Sequence, residues 1–352
     1  MAIYSITCFV SVLLAWIMEH IKYEKKTLNS FTKAVLVSVP AIIITGFRYG
    51  IGSDYFSYQN IFYFSDNFKE PLFLAFNQLI QFMGGGFYTS VFIISIIFFV
   101  LVFWQIFRDS KYPWLSVFLL FGMIYFFAFM NAMRQFLAIS ILVYSLRFLE
   151  KEKDILFFFF LGIAVGIHHA SILFIFAYLM VKIKADFKVI ILITPLVYIL
   201  SYIGKDFIIG PLISLLDYSR YFGTSIIGYR VIGNFLWQII LVVLSCLVYN
   251  KAASEEEQKK YKLYFNIQIL SLWVYSFWGG IDLNEIQRLL AYFQFPSIIF
   301  APIVLQRIQS RGIKNCIIIL ILVYFIINIF ITIAINNENE TLPYRMIFDI
   351  MY

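Results

Sequence analysis

An all-α, polytopic integral membrane fold is what this sequence predicts, and three observations carry the prediction. Of 352 residues, 62% are apolar and only 13% are charged, against roughly half apolar and a quarter charged in an average soluble domain. The apolar residues gather into about twelve runs joined by mostly short connections. Lysine and arginine then collect on alternate connections, the pattern of a chain threaded back and forth through a bilayer. Together these exclude a cytosolic globule and a disordered chain.

The first run, 2–18, has no charge ahead of it and no small-residue cleavage site behind it, so it reads as a span and not as a removable leader. Next come 33–46 and an outer loop, 47–86. Within that loop residues 72–83 are amphipathic but too few to cross, which predicts an interfacial or re-entrant helix. Gly84-Gly85-Gly86 frees the turn into the run 87–107. Runs at 114–130 and 135–149 follow with almost no loop between them. The apolar stretch Ile155 to Val181 is divided at His168-His169 into 155–167 and 170–181, because a single span here reverses every later loop. After 189–203 comes a second long outer loop, 204–231. The last four runs are 231–249, 263–279, 289–306 and 315–335. The chain, 1–352, reads as one integral membrane domain.

Nineteen of the 27 basic residues fall on one set of loops and eight on the other, while the acidic residues divide ten to each side. The richer side is expected in the cytoplasm, which puts both termini outside. The net charge of +7 is therefore read as membrane orientation and not as a nucleic-acid surface. Cys8, Cys246 and Cys316 each sit in an apolar run, without a partner at metal or redox spacing, and read as packing residues.

The outer basic residues differ in kind from the inner ones, being mostly Arg at the ends of spans. A planar guanidinium bonds two phosphate oxygens at once, so a ring of single Arg residues among Tyr and His is the main functional clue. Arg48 and Asp54 flank two glycines in Arg48-Tyr-Gly-Ile-Gly-Ser-Asp54, either as an interfacial ion pair or as part of a site. Arg134, in Asn131-Ala-Met-Arg-Gln135, lies at or below headgroup level, where a charge snorkels outward or faces a polar cavity. His168 and His169 are read either as structural imidazoles or as proton acceptors for a hydroxyl. The loop after 204 interleaves Tyr218 and Tyr221 with Arg220, a mixture that suits sugar stacking and phosphate contact as well as an aromatic belt. Glu285 and Arg288 stand together at the mouth of a late span, and Arg345 adds a last outer cation. No phosphate-binding glycine loop, dinucleotide fingerprint or paired aspartates occur, so direct nucleotide use is not expected and no cofactor or metal is assigned. A transferase here takes a donor already activated and already in the membrane.

The segments Arg48-Tyr-Gly-Ile-Gly-Ser-Asp54-Tyr55 with Tyr58, Glu70-Pro-Leu-Phe, Met133-Arg134-Gln135-Phe-Leu-Ala, His169-Ala-Ser171, Arg288 and Pro343-Tyr344-Arg345 occur in the order found in the EpsG family. The chain resembles that family, which goes with the Wzy-type O-antigen and capsule polymerases. The resemblance implies a helical fold similar to the large GT-C-like lipid-linked glycosyltransferases, in a bacterial inner or cell membrane. It implies a metal-independent glycosyltransferase that joins oligosaccharide repeat units carried on undecaprenyl diphosphate, as donor and acceptor, at the periplasmic or outer face. On that footing Arg134, Arg288, Arg48 and Arg220 are expected to hold the diphosphate. His169, Asp54, His168 and Glu285 are the candidate proton acceptors. Tyr55, Tyr58, Tyr218, Tyr221, Gln135 and Arg345 are expected along the saccharide or lipid. Membrane lipid and a chain-length regulator are the further partners, with no nucleic acid. A flippase of lipid-linked saccharide and a polysaccharide ligase remain the alternatives. A flippase is expected to show two related halves, which the sequence lacks. A ligase shares the same donor and leaving group.

Overall fold

The computed structural model describes residues 1–21, 29–64, 69–183, 187–200, 229–251, 254–278 and 284–350. The described regular structure is helical throughout, without a strand; the one β-like feature is an isolated antiparallel bridge between Arg48 and Met346. In chain order the helices are α1 (Ala2–His20), α2 (Ser30–Gly46), α3 (Tyr55–Tyr63), α4 (Pro71–Phe82), α5 (Phe87–Asp109), α6 (Pro113–Gly122), α7 (Tyr125–Asn131), α8 (Met133–Glu150) and α9 (Asp154–Ile167). A 3-10 turn, His169–Phe174, leads into α10 (Ile175–Lys182). Then come α11 (Phe187–Leu200), α12 (Tyr229–Leu247), α13 (Glu255–Trp278), α14 (Asn284–Gln294), α15 (Ser297–Gln306) and α16 (Arg311–Ile329), which closes in a π-turn over Phe330–Ile335.

In its described residues each expected apolar run lies on one of these helices or on a pair of them, apart from the turn residues 248 and 249 after α12; 201–203 and 279 lie outside the described residues. Span number is a separate matter. By length and composition four described stretches suffice to cross a bilayer: α1, α5, Arg288–Gln306 and Arg311–Ile335. The pair α6 and α7 makes a fifth if it is one broken span, and five further apolar helices are 10–17 residues long. The expected interfacial element is α4, which buries Phe73, Asn77 and Ile80 on one face and leaves Leu72, Leu79 and Phe82 exposed on the other. Helix α3 is an element that the sequence reads only as loop.

The helices divide by what covers them. About a fifth of α1 and of Arg311–Ile335 is buried, against 94% of Arg288–Gln306. Ile6, Phe9, Leu13 and Trp16 on α1, and Ile319, Leu320, Val323 and Ile327 on α16, stand exposed. Apolar faces this wide suit lipid and not water, while α7, α8 and α15 form the interior. Aromatic packing holds that interior: Phe98 of α5 stacks on Phe129 of α7 with ring centroids 4.3 Å apart, and Phe121 stacks on Phe126 across the α6–α7 break.

That break shapes the site. The two helices meet at 53°, with Ile124 in the left-handed region at φ 66°. The carbonyl of Gly122, at the end of α6, accepts a bond from Asn328 Nδ2 of α16 at 2.8 Å, as a backbone group in an apolar interior requires. Helix α7 then ends at Asn131, and a single residue, Ala132, separates it from α8. Asn131 and Arg134 thus emerge together at one end of the bundle.

Candidate functional site

The chain between α2 and α3 forms the floor of that end. Gly50 and Gly52 both adopt positive φ, and Gly52 approaches α7 so closely that a Cβ there would lie 2.6 Å from the Met130 carbonyl oxygen. Beside it Asn131 Oδ1 accepts from the Ser53 hydroxyl at 2.8 Å and from the Asp54 backbone N–H at 3.0 Å, which fixes the start of α3. Arg48 is fully buried, its guanidinium donating to the carbonyls of Thr45 and Met130. Tyr55, also fully buried, donates to the Arg48 carbonyl. The far end of the chain is laid against the same loop: Tyr49 N–H donates to the Arg345 carbonyl, Ile347 N–H to that of Phe47, and Gly52 N–H to that of Glu340. Tyr4 of α1 bonds the Thr341 carbonyl, so both terminal segments lie at this end of the molecule.

Two arginine–carboxylate pairs stand above the floor. Arg134, in the first turn of α8, donates to Glu70 Oε2 at 2.6 Å and lies over the rings of Tyr58 and Phe73. Arg288, on α14, lies 3.3 Å from Asp54 Oδ2, with both side chains about one third exposed. Gln135, next to Arg134, donates to the Arg288 carbonyl and ties α8 to α14. Tyr58 sits between the pairs. Burial raises its phenol above the ordinary value, Arg134 and Arg288 oppose that, and Asp54 adds to it. The hydroxyl therefore stays protonated and available as a donor.

The two histidines face different neighbours. His168, between α9 and the 3-10 turn, has Nδ1 3.0 Å from the Tyr292 hydroxyl of α14, which also accepts from Ser171 at 3.3 Å. Burial pushes the His168 imidazole down to about 3, and the charges of Arg134, His169 and Arg288 push the same way, so it is neutral. His169 is half exposed, with Nδ1 3.6 Å from Glu70 Oε1. Helices α9 and α4 make this meeting by close packing: a Cβ on Gly166 would lie 2.6 Å from Leu72 Cγ. Glu70 itself occupies the N-cap position of α4, without a side-chain cap bond, ahead of Pro71, whose fixed φ suits a first helical position.

Of the residues expected from sequence, the structure brings Asp54, Tyr58, Arg134, Gln135, His168, His169 and Arg288 to one end of the bundle. Arg48 and Tyr55 lie beneath them, engaged with backbone. The Arg345 side chain is exposed, and its carbonyl is what contacts the floor. Glu285 is in the first turn of α14, one turn before Arg288. Tyr218, Arg220 and Tyr221 lie outside the described residues, as does the loop up to 228; residues 229–231 begin α12. Glu70, Asn131 and Tyr292 were missed as site residues. Glu70 and Asn131 had a signal, their places in Glu70-Pro-Leu-Phe and Asn131-Ala-Met-Arg-Gln135. Among the described residues no group of three or more His, Cys, Asp or Glu is placed to hold a metal.

A second charged cluster closes the opposite ends of α5 and α8. Asp109 accepts from Tyr264 and Gln105, each at 2.6 Å, and pairs with Lys260 at 3.0 Å. Arg108 bonds Glu150, and Arg147 donates to Gln105 while lying over the Tyr144 ring. Arg108, Arg147 and Lys260, three of the basic residues assigned from sequence to the inner loops, thus meet here, with Glu150 about 24 Å along α8 from Arg134 at 1.5 Å per residue.

Comparison with curated proteins and with solved structures finds no match. The EpsG family model matches residues 32–346, from the first turn of α2 through the segment laid on the Arg48 loop. With nearly its whole length matched, the chain belongs to the EpsG family, whose members are Wzy-like polymerases.

Proposed function

We propose that this protein polymerises oligosaccharide repeat units carried on undecaprenyl diphosphate, transferring the growing chain to a hydroxyl of the incoming unit at the outer face of the membrane. One observation carries the reading: Arg134 and Arg288, 154 positions apart in the chain, meet around Tyr58 beside a half-exposed histidine. A diphosphate that links a lipid to a sugar bears two negative charges, one for each guanidinium. When the sugar leaves, further negative charge develops on the bridging oxygen. Fixed cations at that point stabilise the transition state more than the ground state.

Each residue then has a task. Arg134 and Arg288 hold the diphosphate, with Tyr58 donating a hydrogen bond between them. His169 accepts the proton of the attacking hydroxyl, being the more exposed imidazole. His168, neutral and bonded to Tyr292, shapes the wall. Arg48 supports the floor from below. Arg220, Tyr218 and Tyr221 guide the lipid-linked saccharide, and Glu285 lies near the mouth.

The test is deletion of the gene in its host, with complementation by wild type, Arg134→Ala, Arg288→Ala and both Arg→Lys variants. Surface polysaccharide is resolved on a gel. Loss of the ladder with single capped units retained is expected for deletion and for all four variants, since lysine offers no planar two-oxygen contact. An unchanged ladder on deletion refutes polymerisation. Trapping of lipid-linked units inside the cell points instead to transport.

A further inference from the structure

Among the described residues, Glu70 is the carboxylate that stands against both an arginine and a histidine. One oxygen is bonded to Arg134 at 2.6 Å, a full charge-assisted bond, and the other stands 3.6 Å from His169 Nδ1, just beyond bonding range. The carboxylate is largely enclosed, with 12% of the side chain exposed. Its main chain is anchored, since Leu74 N–H donates to the Glu70 carbonyl and Pro71 begins α4. The backbone is therefore held while the side chain is divided between two partners.

We infer that Glu70 is a positioning residue that changes partners: it holds Arg134 while the site is empty, and passes to His169 once a diphosphate takes Arg134. This rests on the assignment of Arg134 and His169 made above. An incoming diphosphate competes with Glu70 for the same guanidinium, and two anions cannot share it at close range without repulsion. Displaced from Arg134, the carboxylate has the His169 imidazole 3.6 Å away as a donor. Accepting from Nδ1–H selects the tautomer whose Nε2 is unprotonated and free to receive a proton. The step balances: the hydroxyl proton goes to Nε2, the hydroxyl oxygen bonds the anomeric carbon, and the bond from that carbon to the phosphate oxygen breaks. The electron pair leaves on the diphosphate, opposite Arg134 and Arg288, and the imidazolium is opposed by Glu70. The base is thereby readied by donor binding.

Among the described residues, the charged and titratable groups shown around His169 are Glu70, 3.6 Å from its Nδ1, Arg134 bonded to that carboxylate, and the adjacent His168. Glu70 is the carboxylate that the ligand displaces toward the imidazole, so its removal should move the acid limb of the pH–rate profile.

The experiment uses the full-length protein in lipid nanodiscs, as wild type, Glu70→Gln, Glu70→Asp and Arg134→Ala. Binding of undecaprenyl diphosphate is measured alongside polymerisation of lipid-linked repeat units across pH. Glu70→Gln is expected to bind undecaprenyl diphosphate as tightly as wild type or more so, to lose about 100-fold in kcat, and to shift its acid limb to lower pH; Glu70→Asp recovers part of kcat. Weakened binding in Glu70→Gln, or an acid limb that stays in place, overturns the exchange and leaves Glu70 a structural partner of Arg134. If Arg134→Ala binds and polymerises normally, the diphosphate assignment itself fails, whatever Glu70 does.

Discussion

Gly52 offers a sharp test of how the floor positions the site. A side chain there meets two separate penalties. The backbone at φ +96° costs any L residue about 1–2 kcal/mol. The new Cβ also lies 2.6 Å from the Met130 carbonyl oxygen and 3.0 Å from Asn131 Cα, both main-chain atoms of the buried helix α7. Relief requires the loop to back away by several tenths of an ångström. That movement strains the two bonds that Asn131 accepts from Ser53 and Asp54, at about 1 kcal/mol each. Gly52→Ala is thus expected to lose roughly 2–4 kcal/mol, read as a lower melting temperature in detergent. Asp54 moves with the loop and draws Arg288 after it, so polymer yield should fall about 100-fold. Gly84→Ala is the control. Gly84 shares the positive φ, at +79°, but a Cβ there has nothing within 4 Å, so only the backbone penalty applies and yield stays normal. Equal effects of the two substitutions, or wild-type melting and yield for Gly52→Ala, refute the close-approach argument.

Two further outcomes follow from charges at opposite ends of the bundle. Lys260→Ala leaves Asp109, whose side chain is 1% exposed, facing Glu150 with Arg108 as their shared cation. A loss of about 2–4 kcal/mol in thermal stability is expected, with polymer length unchanged in the surviving protein, and gel ladders check this. At the site end, His168 is held neutral while an unfolded histidine titrates near pH 6.5. The unfolded chain then binds more protons below that pH, so stability falls as pH drops from about 6.5 toward 3, with no contribution above 6.5. Wild-type melting temperature should decline through that window more steeply than that of His168→Gln; parallel curves exclude the buried neutral imidazole.

The helices were legible where an apolar run announces itself. The break read at His168-His169 is found between α9 and the 3-10 turn, while the one between α6 and α7 was hidden. Nothing in Met123-Ile124 suggests a turn, because isoleucine is a poor choice for left-handed backbone; the break persists because the surrounding packing and Asn328, 206 positions from Gly122, sustain it. Helix α3 was hidden for a related reason, since the glycines before it signal loop, while Asn131 fixes its start from another helix. At the site the residue types were legible and the partners were not. Arg48 reads as a ligand for phosphate, and only the structure shows its two terminal nitrogens donating to the carbonyls of Thr45 and Met130. Glu70 reads as part of a motif, and only folding shows that it lies between Arg134 and His169.

The stitching of residues 340–347 onto the Arg48 loop has a consequence for the order of assembly. That loop follows the second helix to be synthesised, yet its backbone partners arrive almost 300 residues later. At the 5–20 residues per second of translation, the floor waits roughly 15–60 seconds for those partners. Loop closure over so long a separation is a late event in folding. A ribosome halted after α16 would release a bundle whose helices can pack but whose floor is untied, and such a chain should expose Arg48 to proteolysis where the finished protein does not.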